Sequence, residues 1–324
     1  MERKWLQISY FLILRIFVLS FPAYASGDGL QNAKVIVSKT EWMNSLNDTI
    51  PMCKISIPGT HDSGSTKGGA MLETQTSGIA DQLNQGIRAF DIRLQSKGDK
   101  LGVFHSHAFQ GIFWEREVLP VFIRFLKAHP SETLIVLLKK EGGKLADYSS
   151  LLSSSLKNPA NARYFVADFC QGLTLKDCRG KILLFHRDYV MDDYPGATCV
   201  DWMDNATCLL KLRDKNGDEA YVLLEDEYQY ESDRGAEKKI EVCINNLDRV
   251  SQQPASSHRW GITFVSATGL PLGTPLVFAN KVNKPVAKHL KESGKRNCGI
   301  VFIDFTDRQG GRELVECIIN SNFN

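Results

Sequence analysis

Residues 55–65 read Ile-Ser-Ile-Pro-Gly-Thr-His-Asp-Ser-Gly-Ser. Ile55 and Ile57 fall on one face and Ser56 on the other, the alternation of a short strand. Pro58-Gly59 is expected to stop that strand and open a turn. The stretch therefore delivers His61 and Asp62 to a loop at a strand's carboxyl end. An imidazole beside a carboxylate suits proton transfer near neutral pH. A solvated His-Asp pair in a turn is the plain alternative, and the residues around this stretch decide between the two.

Working outward, residues 77–86 carry Ile79 and Leu83 at helical spacing, and Gly86 closes that segment. Residues 88–94 alternate, with Phe90, Ile92 and Leu94 on one face and Asp91 and Arg93 on the other. A short apolar run at 101–104 leads directly into His105-Ser106-His107. From Val118 a helix is expected up to His129-Pro130, and 133–138 is a β-rich run ending in Lys139-Lys140-Glu141. The alternation continues: helix 145–156, strand 181–185 ending in His186-Arg187-Asp188, and strand 221–224 ending in Glu225-Asp226. Helix 235–250, strand 262–265, helix 281–292, strand 300–303 ending in Asp304 and helix 314–319 complete it.

Short apolar strands separated by helices predict an α/β fold with a largely parallel sheet. Polar residues stand just past one strand end after another, where a (β/α)8 barrel gathers its active site. The strand count is near eight, but periodicity alone does not establish ring closure. Residues 188–219 form the longest irregular stretch.

The 324 residues carry a formal net charge of +2 and no basic run of five or six, so no strong field points to nucleic acid. Residues 1–25 read as a secretory signal: Arg3 and Lys4, an apolar run over 6–21 that Arg15 interrupts, then Ala23-Tyr24-Ala25 as a small-x-small cleavage site. An uncleaved anchor is the competing reading. The mature chain, 26–324, is expected to be a single domain, secreted and monomeric. Eight cysteines, an even number, agree with an oxidising compartment, and Cys170 with Cys178 and Cys199 with Cys208 are close enough for local disulfides. Buried free thiols are the alternative.

Five stretches, in this order, carry a resemblance: SIPGTHDSGS at 56–65, DQLNQGIRAFDIRL at 81–94, FLKAHPSETLIVLLKKE at 125–141, RGKILLFHRD at 179–188 and VFIDF at 301–305. Together they resemble the bacterial phosphatidylinositol-specific phospholipase C family of the X-domain type. The resemblance implies a distorted TIM-type barrel, and cleavage of phosphatidylinositol to diacylglycerol and inositol 1,2-cyclic phosphate. His61 would match the general base, Asp304 the carboxylate that orients it, Arg93 the phosphate-binding arginine and Asp62 the carboxylate partner of a second histidine. Lys139, Arg187, Asp226 and Tyr228 would match the inositol pocket. The second histidine is matched best by His105, with Ser106 standing where the family has glycine; His107 is the alternative. The resemblance implies no metal and no cofactor, and as partner a membrane surface containing phosphatidylinositol or a glycosyl-phosphatidylinositol. Phe109, Phe113 and Trp114 are candidates to touch it.

The chemistry is consistent with those residue types. A phosphodiester anion needs a cation on its non-bridging oxygens, a base for the attacking hydroxyl and an acid for the leaving alkoxide. Arginine suits the first task because its planar fork binds two oxygens and stays charged. An adjacent inositol hydroxyl makes the attack intramolecular. Two rivals remain. A metal-dependent glycerophosphodiesterase-like enzyme would need carboxylates where Arg93 stands. A catalytically inactive module that binds inositol phosphate or glycan would have no need of the histidine–carboxylate set.

Overall fold

The computed structural model describes residues 38–188, 194–269, 271–294 and 296–323. The expected signal segment and its cleavage site lie outside them. Thirteen strands are described: β1 (Ile57–Thr60), β2 (Ala89–Lys97), β3 (Lys100–His105), β4 (Ala108–Phe113), β5 (Leu134–Lys140), β6 (Ile182–Arg187), β7 (Ala197–Val200), β8 (Thr207–Arg213), β9 (Glu219–Glu225), β10 (Gln229–Tyr230), β11 (Trp260–Phe264), β12 (Thr268–Gly269) and β13 (Ile300–Ile303).

The main sheet runs β1-β13-β11-β9-β8-β7-β6-β5-β2 and closes where β2 pairs with β1 again. Around this ring β1, β2, β5, β6, β7, β9, β11 and β13 run parallel, as a TIM-type barrel requires. A ninth strand, β8, is wedged between β7 and β9 and is antiparallel to both. That reversed strand, with no helix described between β6 and β9, is the distortion. The closing seam is short, with Gly59 opposite Ala89 and Thr60 opposite Phe90.

The strand interiors are buried on both faces, as parallel barrel strands are: β5 presents five buried residues in succession, Leu134 to Leu138. Phe90, Ile92, Leu137, Leu184, Phe264 and Phe302 belong to one core. Helices Leu119–Ala128, Leu145–Lys157, Ala236–Ser251 and Pro275–Ser293 lie between strands in sequence, and Gln309–Asn320 follows the last one. At the start of β2 the buried Arg88 guanidinium pairs with Glu132 at 2.8 Å and donates to the carbonyls of Leu83, Ile87 and Lys39.

The structure moves the first strand. Pro58 and Gly59 do not stop it; they lie within β1, opposite Val301 and Phe302 of β13. A side chain at 59 would meet Phe302 Cδ1 at 2.8 Å and Ala89 Cβ at 2.9 Å, so glycine is what lets β1 sit between β13 and β2. Pro58 still supplies its carbonyl, which accepts from Arg88 N at 3.0 Å.

The local disulfides are not formed, and all eight cysteines are unpaired. Cys199 on β7 lies opposite Leu212 of β8, which puts Cys208 four residues, about 13 Å, further along. Cys178 is buried at the end of a short helix while Cys170 is exposed. Among the described residues, no helix is long and apolar enough to cross a membrane.

Candidate active site

The barrel places the site by register. Arg93 on β2 lies opposite Lys139 on β5, which lies opposite Arg187 on β6, so three cations form one row across adjacent strand ends. Thr60 lies opposite Ile303, so the residues that follow them, His61 and Asp304, leave the ring at one level. His105 ends β3, and Asp226 follows β9 directly. These chain ends frame a cleft of about 630 Å³, open to solvent on one side. His61, Arg93, His105, Lys139, Arg187, Asp226, Tyr228 and Asp304 all line it. Asp62, fully buried, stands behind His105 and Arg93.

His61 Nδ1 lies 2.8 Å from Asp304 Oδ1, and its Nε2 lies 2.7 Å from Arg93 Nη2. A guanidinium can only donate, so Nε2 is the accepting nitrogen and the ring proton is on Nδ1, given to Asp304. Burial and then the Arg93 charge hold the His61 imidazolium well below the usual histidine range. Burial pushes the Asp304 carboxyl up, with Asp62 adding to the effect. Arg93 on the far nitrogen thus favours the tautomer with its proton on Nδ1, facing Asp304. The result is a neutral histidine with its basic lone pair toward the cleft.

The second histidine is built differently. His105 Nδ1 lies 3.0 Å from Asp62 Oδ2 and 3.1 Å from Ser65 Oγ. The Ser65 hydroxyl donates to the Leu72 carbonyl at 2.7 Å, so its oxygen is free to accept from Nδ1–H. Burial raises the Asp62 carboxyl, and the charge of Arg93 pulls it back. Asp62 holds a left-handed φ of 39°, unusual for a residue other than glycine, and its amide donates to Asp91 Oδ2 at 3.0 Å. His105 and Ala108 close a hairpin whose two-residue turn is Ser106-His107, with Ser106 at φ 53°. His107 is therefore exposed on the turn and does not line the cleft.

Arg93 stands amid acids. Its Nε and Nη2 donate to Asp91 Oδ2 at 3.2 and 3.1 Å, and Nη1 is 3.6 Å from Asp62 Oδ2. Burial opposes its charge, but Asp91, Asp62 and Glu141 outweigh burial and raise its pKa. Asp91 is likewise opposed by burial and held down at about 2, chiefly by Arg93. At the far side of the cleft, Arg187 Cζ stacks 4.0 Å from the Trp202 ring centroid, and Nη1 lies 3.3 Å from Asp226 Oδ2. Trp202 Nε1 donates to Asp226 Oδ2 at 2.9 Å. Tyr228 Oη donates to Asp204 at 3.0 Å, and Lys139 pairs with Glu141 at 3.0 Å.

Sequence reasoning had not singled out Asp91, Trp202, Asp204 and Glu141 as site residues. The strand alternation of 88–94 already put Asp91 on the face of Arg93, which was a usable signal. Trp202 and Asp204 sit in the stretch read as irregular, where no pattern marked them. Of the aromatic candidates for membrane contact, Phe109 and Phe113 are half-buried and Trp114 is enclosed. Trp114 is fully buried with Nε1 donating to Ser155, and Phe109 is packed between Phe104 and Phe113. Exposed Met71 lines the cleft, and exposed Met203 and Leu272 lie in sequence beside its lining residues, Met203 next to Asp204 and Leu272 between Thr268 and Pro275.

Residues 48–188 match the family described as phosphatidylinositol-specific phospholipase C, X domain. The chain is 27% identical over 307 residues to a 1-phosphatidylinositol phosphodiesterase of Staphylococcus aureus (strain Newman), covering 88% of this chain and 95% of that one. It is 27% identical over 343 residues to the protein of the same name from Listeria monocytogenes, covering all of both. A solved phosphatidylinositol-specific phospholipase C from S. aureus superposes with a TM-score of 0.76 at 27% identity, over 88% of this chain and 97% of that chain. The Listeria monocytogenes enzyme gives 0.71 at 26%, over 89% and 100%. The family segment spans the strand ends that carry His61, Arg93, His105, Lys139 and Arg187, and the barrel is shared beyond it, so residues 48–188 carry the phosphatidylinositol-specific phospholipase C X domain and the chain is similar over most of its length to bacterial proteins of that activity.

Proposed function

We propose that the chain cleaves phosphatidylinositol at its phosphodiester, releasing diacylglycerol and inositol 1,2-cyclic phosphate. The observation that carries this is the convergence of two differently poised histidines on either side of Arg93 in one cleft. His61 Nε2 takes the proton of the inositol 2-hydroxyl while Asp304 steadies the imidazolium that forms. Arg93, held by Asp91, turns from His61 to the non-bridging phosphate oxygens and neutralises the charge that grows there. His105, protonated and backed by Asp62, gives its proton to the leaving glycerol oxygen. Lys139, Arg187, Asp226 and Tyr228 hold the ring hydroxyls.

This chemistry needs no metal. Arg93 supplies the cation between Asp62 and Asp91 that a calcium-using site would take from the ion. The inactive-module reading has less support, because binding alone does not need a neutral base aligned by a buried carboxylate. The mature catalytic unit is proposed to be 26–324, secreted, monomeric and acting at a membrane surface, with Met71, Met203 and Leu272 toward the lipid.

Incubation with phosphatidylinositol vesicles, followed by phosphorus NMR of the soluble fraction, tests the reading. The early product is expected to be the 1,2-cyclic phosphate, and phosphatidylcholine vesicles should stay intact. Release of free inositol with phosphatidic acid would overturn it.

A further inference from the structure

Glu225 and Asp226 are neighbours with opposite directions. Asp226 turns into the cleft, while Glu225 turns outward under helix Ala236–Ser251. There Lys239, fully buried like Glu225, donates from Nζ to Glu225 Oε1 at 2.7 Å and to the Glu227 carbonyl at 2.7 Å. Glu225 Oε1 also accepts from the Glu227 amide at 3.0 Å, and Cys243 Sγ lies 3.6 Å from its other oxygen. One ammonium therefore grips the turn 225–227 at both ends. From the other side, Asn205 Oδ1 accepts from the amides of Tyr228 and Gln229 at 2.8 and 2.9 Å.

Burying such a pair stabilises less than a well-packed apolar pair would. An apolar pair could not, however, satisfy the Glu227 carbonyl. The side chains this turn carries, Asp226 and Tyr228, both line the cleft, and Asp226 meets Arg187 and Trp202 there. Resting on the phospholipase reading above, we propose that Lys239 and Glu225 are positioning residues for inositol recognition, setting where Asp226 and Tyr228 stand without touching substrate themselves.

The test measures Lys239→Met, Lys239→Arg and Glu225→Gln, with exposed Lys238→Met as control, for kcat and KM on phosphatidylinositol vesicles. A second readout is the indole N–H resonance of Trp202, which reports on Asp226 directly, followed during titration with myo-inositol. Lys239→Met should raise KM about tenfold or more, lower kcat less, leave the pH profile in place, shift the Trp202 resonance and blunt its response to inositol. Lys239→Arg, too long for the same two acceptors, should move KM and the resonance in the same direction by a smaller amount. Glu225→Gln keeps an acceptor oxygen and should stay within about threefold of the parent. If Lys239→Met does not fold, Lys239→Arg decides. Parental KM with an unmoved Trp202 resonance in the folded lysine variants overturns the inference, as does a loss confined to kcat. If the parent protein leaves phosphatidylinositol uncut, the functional reading falls, and the Trp202 resonance still judges the positioning role.

Discussion

Arg93 donates a 2.7 Å hydrogen bond to Nε2 of His61, the ring nitrogen opposite the one that faces Asp304. On the proposed mechanism, the cation assigned to the phosphate thus covers the nitrogen assigned as base. A phosphate entering the cleft offers Arg93 a stronger, charged acceptor, and its departure uncovers Nε2 beside the hydroxyl to be deprotonated. On that reading, base activation and anion binding are one event.

Arg93→Lys should therefore lose about a hundredfold or more in turnover, because a point charge makes neither the two-oxygen contact nor the paired contact to Asp91. Arg93→Asp should be nearly inactive and regain a small fraction with added calcium. The parent protein should be indifferent to EDTA. Inhibition by EDTA that calcium reverses would remove Arg93 from its assigned role.

The two neighbouring histidines separate by site. His105→Ala should cost about a hundredfold in turnover, the scale of a positioned general acid. His107→Ala, on the exposed hairpin turn, should cost less than about threefold. A substrate with a more acidic leaving group should partly restore His105→Ala and leave the other variants unchanged. Equal losses, or the reverse order, would exchange the two assignments.

Activity should persist into mildly acidic solution. His61 must be neutral to act, and its folded-state pKa is depressed by burial and by Arg93. The acidic limb of kcat/KM should fall below the ordinary histidine value of about 6.5. The stability consequence has the same sign. Below about pH 6.5 the unfolded chain binds a proton that the folded site refuses, so folding weakens as pH falls toward the folded value. Asp91 favours the His61 imidazolium, so Asp91→Asn should move the acidic limb to still lower pH while slowing turnover. A limb that moves upward in that variant would contradict the arrangement.

Two substitutions far from the chemistry probe the barrel. Gly59→Ala introduces a methyl between Phe302 and Ala89 and should cost about 1–3 kcal/mol in denaturant unfolding. Arg88→Met strands the buried Glu132 carboxylate and should cost about 3–5 kcal/mol. The joint replacement of Arg88 and Glu132 by apolar residues should cost less than Arg88→Met alone.

What the sequence made legible follows burial. Strands enclosed on both faces, such as β5, β6 and β13, are short uninterrupted apolar runs, and the polar residue ending each run marked the site. β8 was missed because its outer residues Thr207, Leu209 and Arg213 are exposed while only Leu210 and Leu212 are fully buried, which leaves too short an apolar pattern. β7 was hidden by Pro195-Gly196 before it and by its length of four residues. The helix Pro275–Ser293 begins earlier than the expected 281 because Thr274 caps it, its side chain accepting from the Val277 amide, with Pro275 at the first helical position. Asp91 shows in the sequence only as a neighbour of Arg93 on one strand face. Its hold on the Asp62 amide needs a left-handed residue that no one-dimensional pattern announces.

The reversed strand β8 also divides the ring mechanically. Strands β1, β2, β5 and β13 interlock in parallel ladders, and His61, Asp62, Arg93, Lys139 and Asp304 stand on them or just past their ends. The arc β7-β8-β9 is a meander with a half-wet outer face, and Trp202, Asp204, Asp226 and Tyr228 hang from its connections. Amides in the first sector should resist hydrogen exchange up to global unfolding, whereas those of β8 should open locally at lower cost. The residues proposed for proton transfer are thereby anchored in the parallel sector. Those proposed to hold the sugar ring hang from the more openable arc, and the buried Lys239 contacts to Glu225 and the Glu227 carbonyl keep the turn of Asp226 and Tyr228 in place against that compliance.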